Sequence, residues 1–162
     1  CTMIIIGIDP GAGGAMAVWD KKISKIYKCP ADTEEMADIV KESLYINKTK
    51  NIREVYAYME LVHAMPHDGR SSLFKFGTNY GKWLGILGTF KVPTTLVSPQ
   101  KWMKYWKDKL EIKLPKEKPS RKRKLKEIAS HYTDKKITLY NADAILIAMY
   151  GMYDKKGEKG TK

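Results

Sequence analysis

The opening run Met3-Ile4-Ile5-Ile6-Gly7-Ile8 constrains the fold of this chain more than any other feature. It is too short for an apolar helix, and its isoleucines are stiff at χ1 in a way that suits a pleated strand. Because apolar residues do not alternate with polar ones, the strand must be buried on both faces, which requires covering layers above and below a sheet. Asp9-Pro10-Gly11 then turns the chain,.

The remaining pattern supplies those layers. Ala15–Trp19 and Ile23–Lys28 read as a second and third strand, joined through Lys21-Lys22. Connections this tight predict an antiparallel meander. Helical spacing over 33–46, with Thr33 as N-cap, predicts the first helix,. Arg53–Glu60 reads as a strand that the preceding helix brings back parallel to the first. From Ser71 to Phe90 the period becomes helical, and Gly77, Gly81, Gly85 and Gly88 fall within it. Each glycine costs a helix interior roughly 1 kcal/mol. Their spacing points to a face that meets another backbone closely. Thr94–Val97 is a fifth strand, and Pro99 opens a helix carrying Trp102, Met103 and Trp106,. Past a charged loop at 110–119, Ser120 is expected to cap a basic helix to about His131, and Asn141 a final helix to about Tyr153. The order βββ-α-β-α-β-α-α-α is that of an α/β chain with a mixed, five-stranded sheet flanked by helices.

A length of 162 residues fits one domain,, expected over residues 3–154. Cys1 and Thr2 precede Met3 and read as foreign to the native chain, and 155–162 is expected to be a flexible basic tail. That leaves Cys29 with nothing to pair with, which excludes a disulfide scaffold and favours the cytoplasm. No apolar run approaches the roughly 20 residues of a membrane span, and no signal peptide is apparent.

The net charge is +12, and residues 101–136 hold 14 Lys/Arg against 5 Asp/Glu, or +9 of it. Such a concentration exceeds what a solubilising surface needs and favours a polyanion, nucleic acid above all.

Three acids stand out by position. Asp9 ends the first strand, Glu60 the fourth, and Asp143 opens the last helix. Sites in open α/β sheets lie beyond the carboxyl ends of parallel strands, so Asp9 and Glu60 emerge side by side. Neighbouring carboxylates stay ionised together only with cations between them. Oxygen ligands with open positions suit Mg²⁺ or Mn²⁺, and two such ions can activate water against a phosphodiester. Each acid alone has a plainer account: Asp9 as a turn residue, Glu60 as a solvated strand end, Asp143 as a favourable charge on the helix dipole. His63, His67 and Asp68 lack zinc-site spacing and read as loop residues. Gly11-Ala12-Gly13-Gly14 lacks the Lys-Ser/Thr of a phosphate loop and reads as a hairpin turn,.

Taken together, these segments resemble a family. Ile6-Gly7-Ile8-Asp9-Pro10-Gly11 with Gly13-Gly14-Ala15 is similar to the first strand of RuvC-type Holliday junction resolvases. Tyr58-Met59-Glu60-Leu61-Val62-His63-Ala64-Met65-Pro66 resembles their second acidic motif in its bacteriophage form. The helix beginning Ser71-Ser72, the segment Val97-Ser98-Pro99-Gln100-Lys101-Trp102 and the segment Asn141-Ala142-Asp143-Ala144 continue the likeness in order. The resemblance implies an RNase H-like fold, a homodimer, two Mg²⁺ or Mn²⁺ ions per site, and paired nicking of branched DNA. It implies Asp9, Glu60 and Asp143 as catalytic metal ligands. The family's fourth ligand, an acid or histidine three or four residues before the last Asp, falls here on Tyr140 or Leu139. Asp154 lies about 16 Å further along the helix, too far to replace it. Asn141 can offer a carbonyl oxygen, against which capping is the simpler role.

DNA contacts are expected from Arg70, Ser71 and Ser72, which follow the Glu60 loop, and from Lys101 and Lys104. Arg121, Lys122, Arg123 and Lys124 are expected to grip flanking duplex,. Trp102 and Trp106 either stack on unpaired bases or fill the core. Rival readings are a junction-binding protein with little catalysis and a nuclease acting on RNA–DNA hybrids. A sugar-kinase-like ATPase shares the opening strand, but the chain lacks a second lobe and a second phosphate loop.

Overall fold

A computed structural model describes residues 3–45, 54–61 and 69–160. Strands β1 (Met3–Asp9), β2 (Ala15–Asp20), β3 (Lys22–Lys28), β4 (Glu54–Glu60) and β5 (Thr94–Val97) form one sheet in the order β3-β2-β1-β4-β5. β1, β2 and β3 make the antiparallel meander, and β4 runs parallel to both β1 and β5. The first strand is thus central, and Ile4, Ile5, Ile6 and Ile8 are all fully buried.

Strand alternation divides β1 between two cores. Ile4, Ile6 and Ile8 pack with helices α1 (Thr33–Leu44) and α2 (Arg70–Thr89), through Met36, Val40, Trp83 and Leu87. Ile5 on the opposite face packs with α3 (Pro99–Leu110), α4 (Lys118–Ser130) and α5 (Ala142–Gly160). Gly7 lies on that second face, and a Cβ there would overlap the Ala144 carbonyl and the Ala148 amide. A side chain at position 7 would hold α5 off the sheet; glycine lets the helix lie directly across β1. Gly151 does the same against the Tyr58 ring on β4.

Helix ends differ from expectation in three places. Asp32, not Thr33, caps α1, its Oδ1 accepting from Glu34 N (2.6 Å) and Glu35 N (3.3 Å). The earlier cap satisfies two of the first-turn donors at once. α4 starts at Lys118 rather than at a Ser120 cap, because Pro119 is at home in a first turn,; Ser120 instead donates to Glu117 Oε2 at 3.0 Å. α5 continues to Gly160, so residues 155–160, expected in a flexible tail, are helical. Lys155 over the Tyr56 ring (4.7 Å) and Lys156 over Trp19 (5.5 Å) tie those turns to the sheet,. Within the described residues no helix is long and apolar enough to cross a membrane.

Candidate active site

The three acids are delivered by three elements. Alternation puts Asp9 on the Gly7 face of β1 and Glu60 on the Tyr58 face of β4, both toward α5,. The parallel register Ile8↔Met59 sets the two strand ends level. Asp143 lies in the first turn of α5, one residue before the Ala144 that sits on Gly7. The close packing at Gly7 is therefore what carries the third acid to the first two.

Their electrostatics show the convergence. Burial raises the Asp9 carboxyl above its ordinary 3.8, against the lowering effect of the Gly11 amide (3.2 Å from Oδ1) and of Lys122. Glu60 is pushed up to about 7, first by burial and then by the Asp9 charge, with Asp143 adding to it. Asp143 is pushed up to about 6 by burial and by Asp9, while Lys122 and Arg121 oppose the shift. Three buried acids, two of them raised further by the charge of Asp9, are a site for positive charge,.

The donor set fits a hard divalent cation: carboxylate oxygens only, partly buried and mutually repelling,. Among the described residues, however, no group of three or more His, Cys, Asp or Glu side chains is arranged to hold a metal ion. The acids converge without closing into a coordination shell.

The other expected residues fall in several places. Lys122 reaches Asp143 at 3.9 Å, so it faces the acids. Arg121 donates to the Lys116 carbonyl at 2.7 Å and lies near enough to Asp143 to lower its pKa. Arg123 is exposed, and Lys124 is paired with Glu127 at 2.9 Å. Lys104 is paired with Asp108, one turn along α3, at 2.5 Å. Lys101 is exposed and hydrogen-bonded to Tyr150. Arg70, Ser71 and Ser72 form the exposed first turn of α2. Further along α2, Asn79 donates to the Pro10 carbonyl beside Asp9. Asn141 spends its Oδ1 on the Thr138 amide (2.8 Å) and its Nδ2 on the Lys136 carbonyl (3.2 Å). Its side chain thus braces the preceding loop, while its backbone carbonyl accepts the first bond of α5 from the Ile145 amide at 3.1 Å. Asp154 accepts from the Tyr58 hydroxyl at 2.6 Å. His63, His67 and Asp68, with the motif segment 62–66, lie outside the described residues.

Trp102 is the residue whose role the sequence does not reveal. It is 1% exposed, so base stacking is ruled out, and its indole N–H donates to Glu60 Oε2 at 2.8 Å. That bond orients the second acid and favours its charged form. Only its place in the Ser-Pro-Gln-Lys-Trp segment beside β5 hinted at a function. Trp106, fully buried, donates to the Leu146 carbonyl at 3.2 Å and belongs to the core.

No protein-family model matches the chain, and no curated protein matches its sequence. Two solved structures of Thermus thermophilus RuvC share its architecture. The RuvC complex with a Holliday junction substrate superposes with a TM-score of 0.56 at 17% identity, covering 96% of this chain and 96% of that one. A second RuvC structure gives 0.55 at 18% identity, covering 96% and 97%. The fold is RuvC-like over 96% of the chain.

Proposed function

We propose that this chain is a metal-dependent endonuclease of branched DNA, acting on Holliday junctions by paired nicks as a homodimer. The observation that carries the reading is the convergence of Asp9, Glu60 and Asp143 at one end of a RuvC-like sheet. Asp9, Glu60 and Asp143 would hold Mg²⁺ or Mn²⁺, which supplies an activated water and charge neutralisation at the scissile phosphate. Asp9 is shared between its neighbours, Glu60 is oriented by Trp102, and Lys122 holds positive charge beside Asp143 where a phosphate would approach. The exposed Arg123 and the first turn of α2 offer contacts to the flanking arms,.

Dimerisation is supported by α2. Among the described residues, a Cβ at Gly77, Gly81, Gly85 or Gly88 would meet nothing within 4 Å, which leaves that face open to a second copy. Phe74, 76% exposed, and Leu84 flank them. A phage-type setting in a host cytoplasm accords with the sequence motifs.

The test is to offer four-way junctions, forks and RNA–DNA hybrids with Mg²⁺ or Mn²⁺. Junction cutting is expected, with Asp9→Asn losing at least 100-fold in rate while binding is retained. Cutting of hybrids alone would overturn the reading. A second reading, a junction binder with weak catalysis, is favoured by Tyr140 at the fourth-ligand position and by the open arrangement of the acids. Junction binding without cutting in either metal would establish it.

A further inference from the structure

Beside the acids lies a groove of about 960 Å³ that the nuclease reading does not use. One wall is the outer strand β3 with Lys25, Tyr27 and Lys28, and the other is the loop before α5 with Lys135, Lys136 and Tyr140. The groove reaches the turn that follows Asp9. Gly13 and Gly14 of the β1–β2 turn line it, and a Cβ on Gly14 would come within 2.9 Å of the Asp9 carboxyl carbon. Asn141, two residues before Asp143, lines it too.

Two features give it a ligand chemistry. Its charged lining is four lysines against Glu42 alone, a net of +3. Glu42 is itself engaged, by the Lys25 ammonium and by the Tyr27 hydroxyl at 2.7 Å. The second feature is Tyr140, an aromatic residue left 64% exposed. One edge rests on the turn, since a Cβ on Gly13 would sit 3.5 Å from Tyr140 Cδ1. The loop behind it is fixed: Thr138 Oγ1 accepts from the amides of Tyr140 and Asn141, both at 3.2 Å, and the Thr138 amide donates to Asn141 Oδ1 at 2.8 Å. A pre-set aromatic face beside a lysine-lined groove is the combination that binds single strands, with bases stacking and phosphates neutralised. Duplex bases are already stacked and offer no free face to such a ring.

We infer that this groove takes unpaired nucleotides of a DNA strand on one side of the phosphate held at the acids, with Tyr140 stacking on the first base. The inference rests on the nuclease reading for the choice of DNA. It gives the tyrosine at the fourth-ligand position a function of its own.

The full-length chain is titrated, in EDTA, with a labelled 12-nucleotide oligo(dT) and with a duplex of equal length. Tyr140→Ala is expected to weaken oligo(dT) binding about tenfold, leave its salt dependence unchanged, and alter duplex binding less than twofold. Tyr140→Trp restores the single-strand affinity. Lys135→Glu with Lys136→Glu is expected to lower the slope of log affinity against log salt by about 1.4 or more. Unchanged oligo(dT) binding in both variants overturns the inference, as does an equal loss for duplex and single strand. Junction cutting is scored separately: a chain that cuts no junction yet shows these losses sinks the nuclease reading and keeps the groove.

Discussion

Asp9, Glu60 and Asp143 are acids held where water cannot fully solvate their charge, and that has a cost in stability. Glu60 rises from 4.5 to about 7 on folding and Asp143 from 3.8 to about 6. Between those limits the folded protein binds more protons than the unfolded chain, so stability falls as pH rises from about 4 to 7. For the metal-free protein, Glu60 contributes a loss on the order of 2 kcal/mol across that range. Urea unfolding in EDTA at pH 5 and pH 8 measures it, and Glu60→Gln is expected to remove most of the difference. A fall as steep in Glu60→Gln would show that the shift lies elsewhere. Mn²⁺ is expected to stabilise the wild type more at pH 8 than at pH 5, because the cation competes with protons for the same oxygens.

Two helices owe their placement to glycines used in opposite ways. On the α5 side, Gly7 and Gly151 permit contact with the sheet. Gly7→Ala is expected to cost about 3 kcal/mol or more, since backbone atoms of α5 must move, and to displace Asp143 as it does so. A thermal melt within a degree of wild type would contradict the packing argument. On α2, a Cβ on Gly77, Gly81, Gly85 or Gly88 would meet nothing among the described residues. Gly81→Ala should therefore stabilise an isolated subunit by up to about 1 kcal/mol through helix propensity, yet weaken a dimer packed on that face. Sedimentation of the variant against wild type separates the two signs, and unaltered self-association would remove α2 from the interface.

Across the whole molecule, charge and chemistry are spatially sorted. The acids sit at one end of the sheet, Arg121 and Lys122 face them from α4, and a lysine-lined groove opens alongside. A net charge of +12 makes binding to any DNA strongly salt-dependent,. Arg123, exposed, is a candidate phosphate contact; Arg123→Ala is expected to weaken binding to all duplexes alike and to reduce the salt slope by about 0.9,. A sequence-selective loss would mean that it reads bases instead. Lys104 and Lys124 should matter less, because each is already paired with a carboxylate on its own helix.

The sequence alone determined the sheet. The unbroken apolar run of β1, the short turns to β2 and β3 and the helical crossover to β4 leave one arrangement open, and strand period then fixes Asp9 and Glu60 on a common face,. What it leaves undecided are contacts between segments distant along the chain. The Trp102 bond to Glu60 spans 42 residues, and the Lys122 pair with Asp143 joins two helices. Neither residue type announces its partner. The same holds for the end of α5, where Lys155 and Lys156 look like tail charges until the Tyr56 and Trp19 rings are brought beneath them. Local pattern specifies which residues line each element; only packing decides which of those residues meet, and the candidate site is made of such meetings.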